Sequence, residues 1–160
     1  MMLTAERLRE LFIYQPDTGL LLRKTARGNR SAGSAAGCEH GDGYLSTTVD
    51  GRKCYVHVLI WAMQTGAFPL HQIDHRDGVR SNNKWLNIRP STPSLNKQNM
   101  RRARSDSRIG LLGVGKAGRR FRASIGVNGK YKHLGVFDTP EQAHRAYITA
   151  KRKLHPGNTL

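Results

Sequence analysis

Two Asx-Gly dipeptides constrain this chain more than any other feature. Asp50-Gly51 separates GYLSTTV from RKCYVH, and Asn128-Gly129 separates FRASIGV from KYKHLGVF. Both dipeptides tolerate positive φ at the two central positions of a tight turn, and the segments around them are strand-forming, so each specifies a two-residue antiparallel hairpin. Two such hairpins, far apart in 160 residues, predict two small α+β units in preference to one larger domain.

Helical periods fill the intervening chain. LTAERLRELFIY places Leu8, Leu11 and Phe12 at i, i+3 and i+4 behind a capping Thr4, and PDTG then turns the chain into the strand GLLLRK. GNRSAGSAAG reads as a loop, and from Val56 a helical pattern runs to Gly66. PSLNKQNMRRAR reads as a helix with Pro93 in its first turn and basic residues in its last. RRARSDSRIG is a charged connector, and Thr139-Pro140-Glu141-Gln142 opens a final helix whose apolar face is Ala143, Ala146, Tyr147, Ala150 and Leu154.

Charge narrows the partner. The net charge is +16, and it is graded: residues 1–70 hold 8 basic and 6 acidic side chains, residues 71–108 hold 9 and 3, and residues 109–160 hold 10 and 2. Because the basic residues interleave with apolar ones at structural periods, they describe a folded surface for a polyanion, nucleic acid first, rather than a solvated tail. A basic balance alone equally fits a membrane-surface or ribosome-associated protein. Two cysteines, Cys38 and Cys54, make neither a zinc ribbon nor a disulfide framework, and a reducing cytoplasm is expected. No apolar run reaches the length of a membrane span, and MMLTAERLRE lacks a signal-peptide core.

The segment from Ile73, IDHRDGVRSNNKWLNIRP, concentrates the chemistry. IDH ends one short strand, NIRP forms a second, and SLNKQNM begins a helix, with Asp77-Gly78, Asn83, Asn87 and Asn96 between and beyond them. In this order and spacing the segment resembles an HNH endonuclease of the homing type, in which a ββα-metal unit holds one divalent ion against a scissile phosphate. The resemblance implies a core over residues 72–103 within a nuclease domain of residues 1–104. Its implied roles are metal ligands for Asp74 and Asn96, general base for His75, and orientation of that base for Asn87. A carboxylate and an amide oxygen are hard ligands, and so sparse a set suits Mg²⁺, with Mn²⁺ an alternative. An imidazole is neutral near pH 7 and can take a proton from water. Asn87 is expected to accept the other ring N–H. Asn82, Asn83 and Asn99 read as turn residues, Trp61 and Trp85 as packing anchors, and His57 as a core or capping residue that matches a recurrent histidine of the subclass. Arg89, Arg101 and Arg102 are candidate phosphate contacts; His40 and His71 have no supporting spacing.

After a linker at residues 105–110, residues 111–160 resemble the plant ethylene-response-factor (Apetala-type) DNA-binding domain, implying a three-stranded antiparallel sheet backed by one helix, with the sheet in the major groove. A two-residue turn at Asn128-Gly129 pairs Ile125 with Lys132 and Ser124 with His133. Phe121, Ala123, Ile125, Leu134 and Val136 then share the helix-facing side. Arg120, Arg122, Ser124, Tyr131 and His133 share the other, a set suited to phosphates and base edges. Phe121 stands where the family usually has Trp, and Gly126 where Arg is common, so sequence preference does not carry over.

The expectation is therefore a phage or mobile-intron endonuclease: α+β, monomeric or weakly dimeric, acting on double-stranded DNA with a divalent metal, without a membrane or a small-molecule cofactor. The rival from another class is a non-cutting DNA-binding regulator on a degenerate nuclease scaffold, and charge alone leaves RNA binding open.

Overall fold

A computed structural model describes residues 3–39, 41–104 and 106–158. The chain divides into two compact units, Met1–Thr92 and Pro93–Leu160.

In the first unit the Thr4 hydroxyl accepts the Arg7 amide and caps α1 (Ala5–Leu11). The helix stops short of its apparent apolar period. Phe12 instead opens β1 (Phe12–Gln15), which pairs with β2 (Leu20–Arg23). Ile13 and Tyr14 are strand formers, and the hairpin buries Phe12 and Tyr14 on one face, so sheet pairing overrides the helical continuation. Next come β3 (Cys38–Glu39), β4 (Leu45–Val49) and β5 (Arg52–Tyr55), an antiparallel sheet in that order. Its expected turn has φ of 45° at Asp50 and 79° at Gly51, the left-handed pair that an Asp-Gly hairpin requires.

Helix α2 (Val56–Thr65) follows directly and ends on left-handed Gly66. Its Leu59, Ile60 and Ala62 are fully buried against Leu8, Phe12, Leu21 and Val49. Each large side chain there contributes about 1.5–3 kcal/mol by leaving water. The strands β6 (Gln72–His75) and β7 (Ile88–Ser91) pair antiparallel and insert Ile73 and Ile88 into the same core. Trp61 and Trp85 pack ring to ring against it, 5.5 Å apart. This burial fixes which face of β6 is inward, and so where Asp74 and His75 stand.

The second unit begins with α3 (Pro93–Gln98), shorter than the helix expected through Arg104. The Asn99 amide is shared between the Leu95 and Asn96 carbonyls as the last turn tightens, and asparagine favours leaving a helix over continuing it. Strands β8 (Val114–Ala117), β9 (Arg120–Val127) and β10 (Lys130–Phe137) form an antiparallel sheet in the order β10-β9-β8. The pairs Ile125↔Lys132 and Ser124↔His133 are those the turn predicts.

Beyond them the register slips by one residue between His133 and Gly135, giving Ala123↔Gly135, Arg122↔Val136 and Phe121↔Phe137. The extra residue reverses the faces of the strand end. Val136, expected on the helix side, lies on the Arg122 side and is 40% exposed, and Phe137 takes its place beside Phe121. Helix α4 (Pro140–Leu154) starts with the predicted capping box, in which Thr139 and Gln142 exchange side-chain-to-backbone bonds. It buries Ala143, Tyr147 and Lys151, with Ala146, Ala150 and Leu154 half-buried beside them. Lys151 escapes the cost of burial by donating to the Met100 carbonyl.

Candidate active site and nucleic-acid interface

His75 ends β6 at 2% exposure, and the chain then loops through residues 76–87 before β7. Asp77 organises that loop. Its carboxylate accepts the Val79 amide at 2.8 Å, the Asn82 amide group at 2.6 Å and the Asn87 amide group at 2.9 Å. Burial alone would raise the Asp77 carboxyl, but these hydrogen bonds outweigh it and hold the group below its usual range. Asn87 completes the loop: its Oδ1 accepts the Asp77 amide at 3.0 Å and its Nδ2 also reaches the Asn82 carbonyl at 2.7 Å. Outside the loop, the Tyr14 hydroxyl donates to the Asn83 carbonyl at 2.8 Å and the Trp85 amide to Pro16. Gly19 presses so close that a Cβ there would lie 2.6 Å from the Lys84 nitrogen.

With the loop so closed, the partner of His75 is Asn83, not Asn87. His75 Nε2 lies 2.9 Å from Asn83 Oδ1, and Asn83 is 1% exposed. The expected contact from Asn87 is absent because its amide is spent on Asp77 and Asn82; it sits in a single 3-10 turn, Trp85–Asn87, ahead of the strand. An amide oxygen can only accept, so Nε2 carries the hydrogen and Nδ1 is the basic nitrogen of the neutral ring. Burial pushes the imidazole below its ordinary value, against the pull of the Asn83 bond and the Asp77 and Asp74 carboxylates. The uncharged form of the ring is thereby favoured.

Two rings flank it, and a third backs them. His57, at the start of α2, meets His75 edge-on with centroids 5.1 Å apart, and Tyr44 lies 5.1 Å from His57 and 5.8 Å from His75. Tyr55 stacks on His57 at 5.5 Å. His57 is 6% exposed, its Nδ1 has no hydrogen-bond partner among the described residues, and burial with the neighbouring His75 pushes its pKa down to about 4. Arg80 lies over the Tyr44 ring and donates to the Asp42 carbonyl. The recurrent histidine noted at position 57 is thus a neutral wall of the His75 pocket. Nothing in the spacing marked Tyr44, and Asn83, which belongs to the motif's spacing, was expected only as a turn residue.

Asp74 is 6% exposed and directly opposite Arg89 in the strand register. Arg89 Nε and Nη2 both bond Asp74 Oδ2, at 3.2 and 3.0 Å. The guanidinium expected on a phosphate is therefore on a carboxylate. Asn96 is half-buried on α3 in the second unit, and Arg101 and Arg102 are exposed in the chain after that helix. His40 lies outside the described residues. Among the described residues no three His, Cys, Asp or Glu side chains gather as a metal cluster. The donor chemistry, one buried carboxylate beside an imidazole, fits a hard ion that takes most of its ligands from water and phosphate.

In the second unit Arg122, Ser124, Tyr131 and His133 line one open depression of about 500 Å³ on the sheet. Tyr131 is 83% exposed opposite Gly126, which offers it no covering side chain. Arg122 lies across Gly115, and Arg120, on the same face, pairs with Asp138 at 2.8 Å. A cation, a hydroxyl, a phenol and an imidazole side by side can engage phosphate oxygens and base edges.

Residues 54–100 match the family model described as HNH endonuclease. The match takes in α2, the β6–β7 hairpin and α3, and it supports an HNH nuclease, an enzyme acting on DNA, in this part of the chain. Comparison with curated proteins and with solved structures found no match. Among the described residues no helix is long and apolar enough to cross a membrane.

Proposed function

We propose that the chain is a metal-dependent DNA endonuclease of the homing HNH type, nicking or cutting duplex DNA through the β6–β7 hairpin. The second unit supplies grip and site choice through the Arg122–Tyr131 face. The observation that carries the reading is the pinned imidazole: His75 is buried, neutral and tautomerically fixed by Asn83, one residue from the Asp74 carboxylate.

In this reading His75 Nδ1 takes a proton from a water molecule whose oxygen attacks the phosphorus, and the bond from phosphorus to the 3′ oxygen breaks. General-base help of this kind contributes about 10²–10⁴ in rate. Asp74 would hold a Mg²⁺- or Mn²⁺-type ion. The chemistry such an ion supplies when bound is stabilisation of charge on the phosphate and the departing oxygen. Asn87 and Asp77 keep the loop shut so that Asn83 stays on the imidazole. Tyr44 and His57 keep bulk solvent from its other faces.

The test is relaxation of supercoiled plasmid with Mg²⁺, with excess EDTA and with His75→Ala. Nicking lost in the latter two supports the reading. Nicking that survives EDTA removes the metal, and tight duplex binding without any nicking leaves a non-cutting regulator.

A further inference from the structure

We propose that Arg89 is the resident counter-cation of Asp74, competing with a divalent ion for its carboxylate, and that ion loading and DNA binding are coupled through the exchange of this one guanidinium. The inference rests on Asp74 being an ion ligand, as the proposed function has it.

Asp74 and Arg89 face each other across β6 and β7, and their side chains are 7% and 20% exposed. Two of the three guanidinium nitrogens, Nε and Nη2, converge on one oxygen, Oδ2. A carboxylate this far from water needs a compensating charge, and the guanidinium supplies it. A divalent ion brought to the same carboxylate meets that fixed positive charge at close range, in surroundings that screen it poorly. Either the ion binds weakly or Arg89 leaves. Guanidinium has one alternative partner at least as good as a carboxylate, a phosphate, which it bonds in the same two-pronged way. A DNA phosphate arriving beside β7 therefore offers Arg89 another anion and frees Asp74 Oδ2 for the ion. By linkage, whatever the phosphate gains from the exchange the ion gains too.

Mn²⁺ titration of the full chain without DNA, followed by electron paramagnetic resonance, tests this apart from catalysis. The site in question is the part of the binding isotherm that Asp74→Asn removes. Arg89→Gln is expected to bind Mn²⁺ there about tenfold more tightly than wild type, because a full positive charge beside the ion has gone. Arg89→Met, which keeps the aliphatic stem, is expected to do the same and serves if the glutamine variant does not fold. Arg89→Lys, retaining the charge, is expected to stay within about threefold of wild type. Neutral variants that bind Mn²⁺ no better than wild type, while Asp74→Asn still abolishes the site, overturn the competition and leave the nuclease reading standing. An Asp74→Asn protein that binds as wild type does overturns the metal role of Asp74, and this inference with it.

Discussion

Replacing Asn83 by alanine separates the geometry described here from a reading in which Asn87 directs the base. The 2.9 Å bond between His75 Nε2 and Asn83 Oδ1 joins two side chains that are 2% and 1% exposed. Losing the acceptor leaves a ring N–H buried without a partner, a cost of about 1–3 kcal/mol, read as a lower midpoint in urea denaturation at constant slope. The same change releases both the tautomer and the orientation of the ring, so the lone pair is no longer held where the attacking water must be. Since general-base catalysis is worth about 10²–10⁴, kcat for plasmid nicking is expected to fall by about 10²-fold with KM little altered. Asn83→Asp, which restores an acceptor oxygen, is expected to recover most of that rate. A folded Asn83→Ala protein that nicks within about twofold of wild type would refute the argument, because the tautomer would then be set by something other than this amide.

Three further outcomes follow from the rest of the molecule. His57 carries a buried imidazole held at about 4, so stability is complete above the unfolded value of 6.5 and is lost as pH falls from there to about 4. Over that range the unfolded chain takes up a proton that the folded chain refuses. The loss is about 3 kcal/mol, and His57→Phe is expected to flatten this part of the pH dependence in chemical denaturation. Gly113 has φ of 74° and lies directly beneath the Tyr147 ring, leaving no room for a Cβ, so Gly113→Ala is expected to destabilise the second unit by more than about 1 kcal/mol in thermal unfolding. Arg122→Ala is expected to weaken duplex binding and to reduce the slope of log affinity against log salt by about 1, measured by fluorescence anisotropy; an unchanged slope would exclude a phosphate contact.

What could be read from the residues alone was what local chemistry decides. Asp50-Gly51, Asn128-Gly129, the Thr139 capping box and left-handed Gly66 do their work within a few residues, and each stands where expected. The hairpin pairing near Asn128-Gly129 followed for the same reason, but it failed one pair beyond His133, because a bulge is settled by how two strands and a helix pack together, not by the turn. The asparagines divide along the same line. That a polar loop joined β6 to β7 was legible, whereas the choice between Asn83 and Asn87 as partner of His75 depended on Asp77 drawing Asn82 and Asn87 inward and leaving Asn83 facing the ring. Arg89 makes the same point for charge. In sequence an arginine after a strand looks like a hand held out to phosphate, but a buried carboxylate directly across the ladder has the prior claim on it. In the proposed reading, a carboxylate that holds an ion next to polyanionic DNA needs such a cation in the free protein, so the residue that shields Asp74 is the natural one to be traded when substrate arrives.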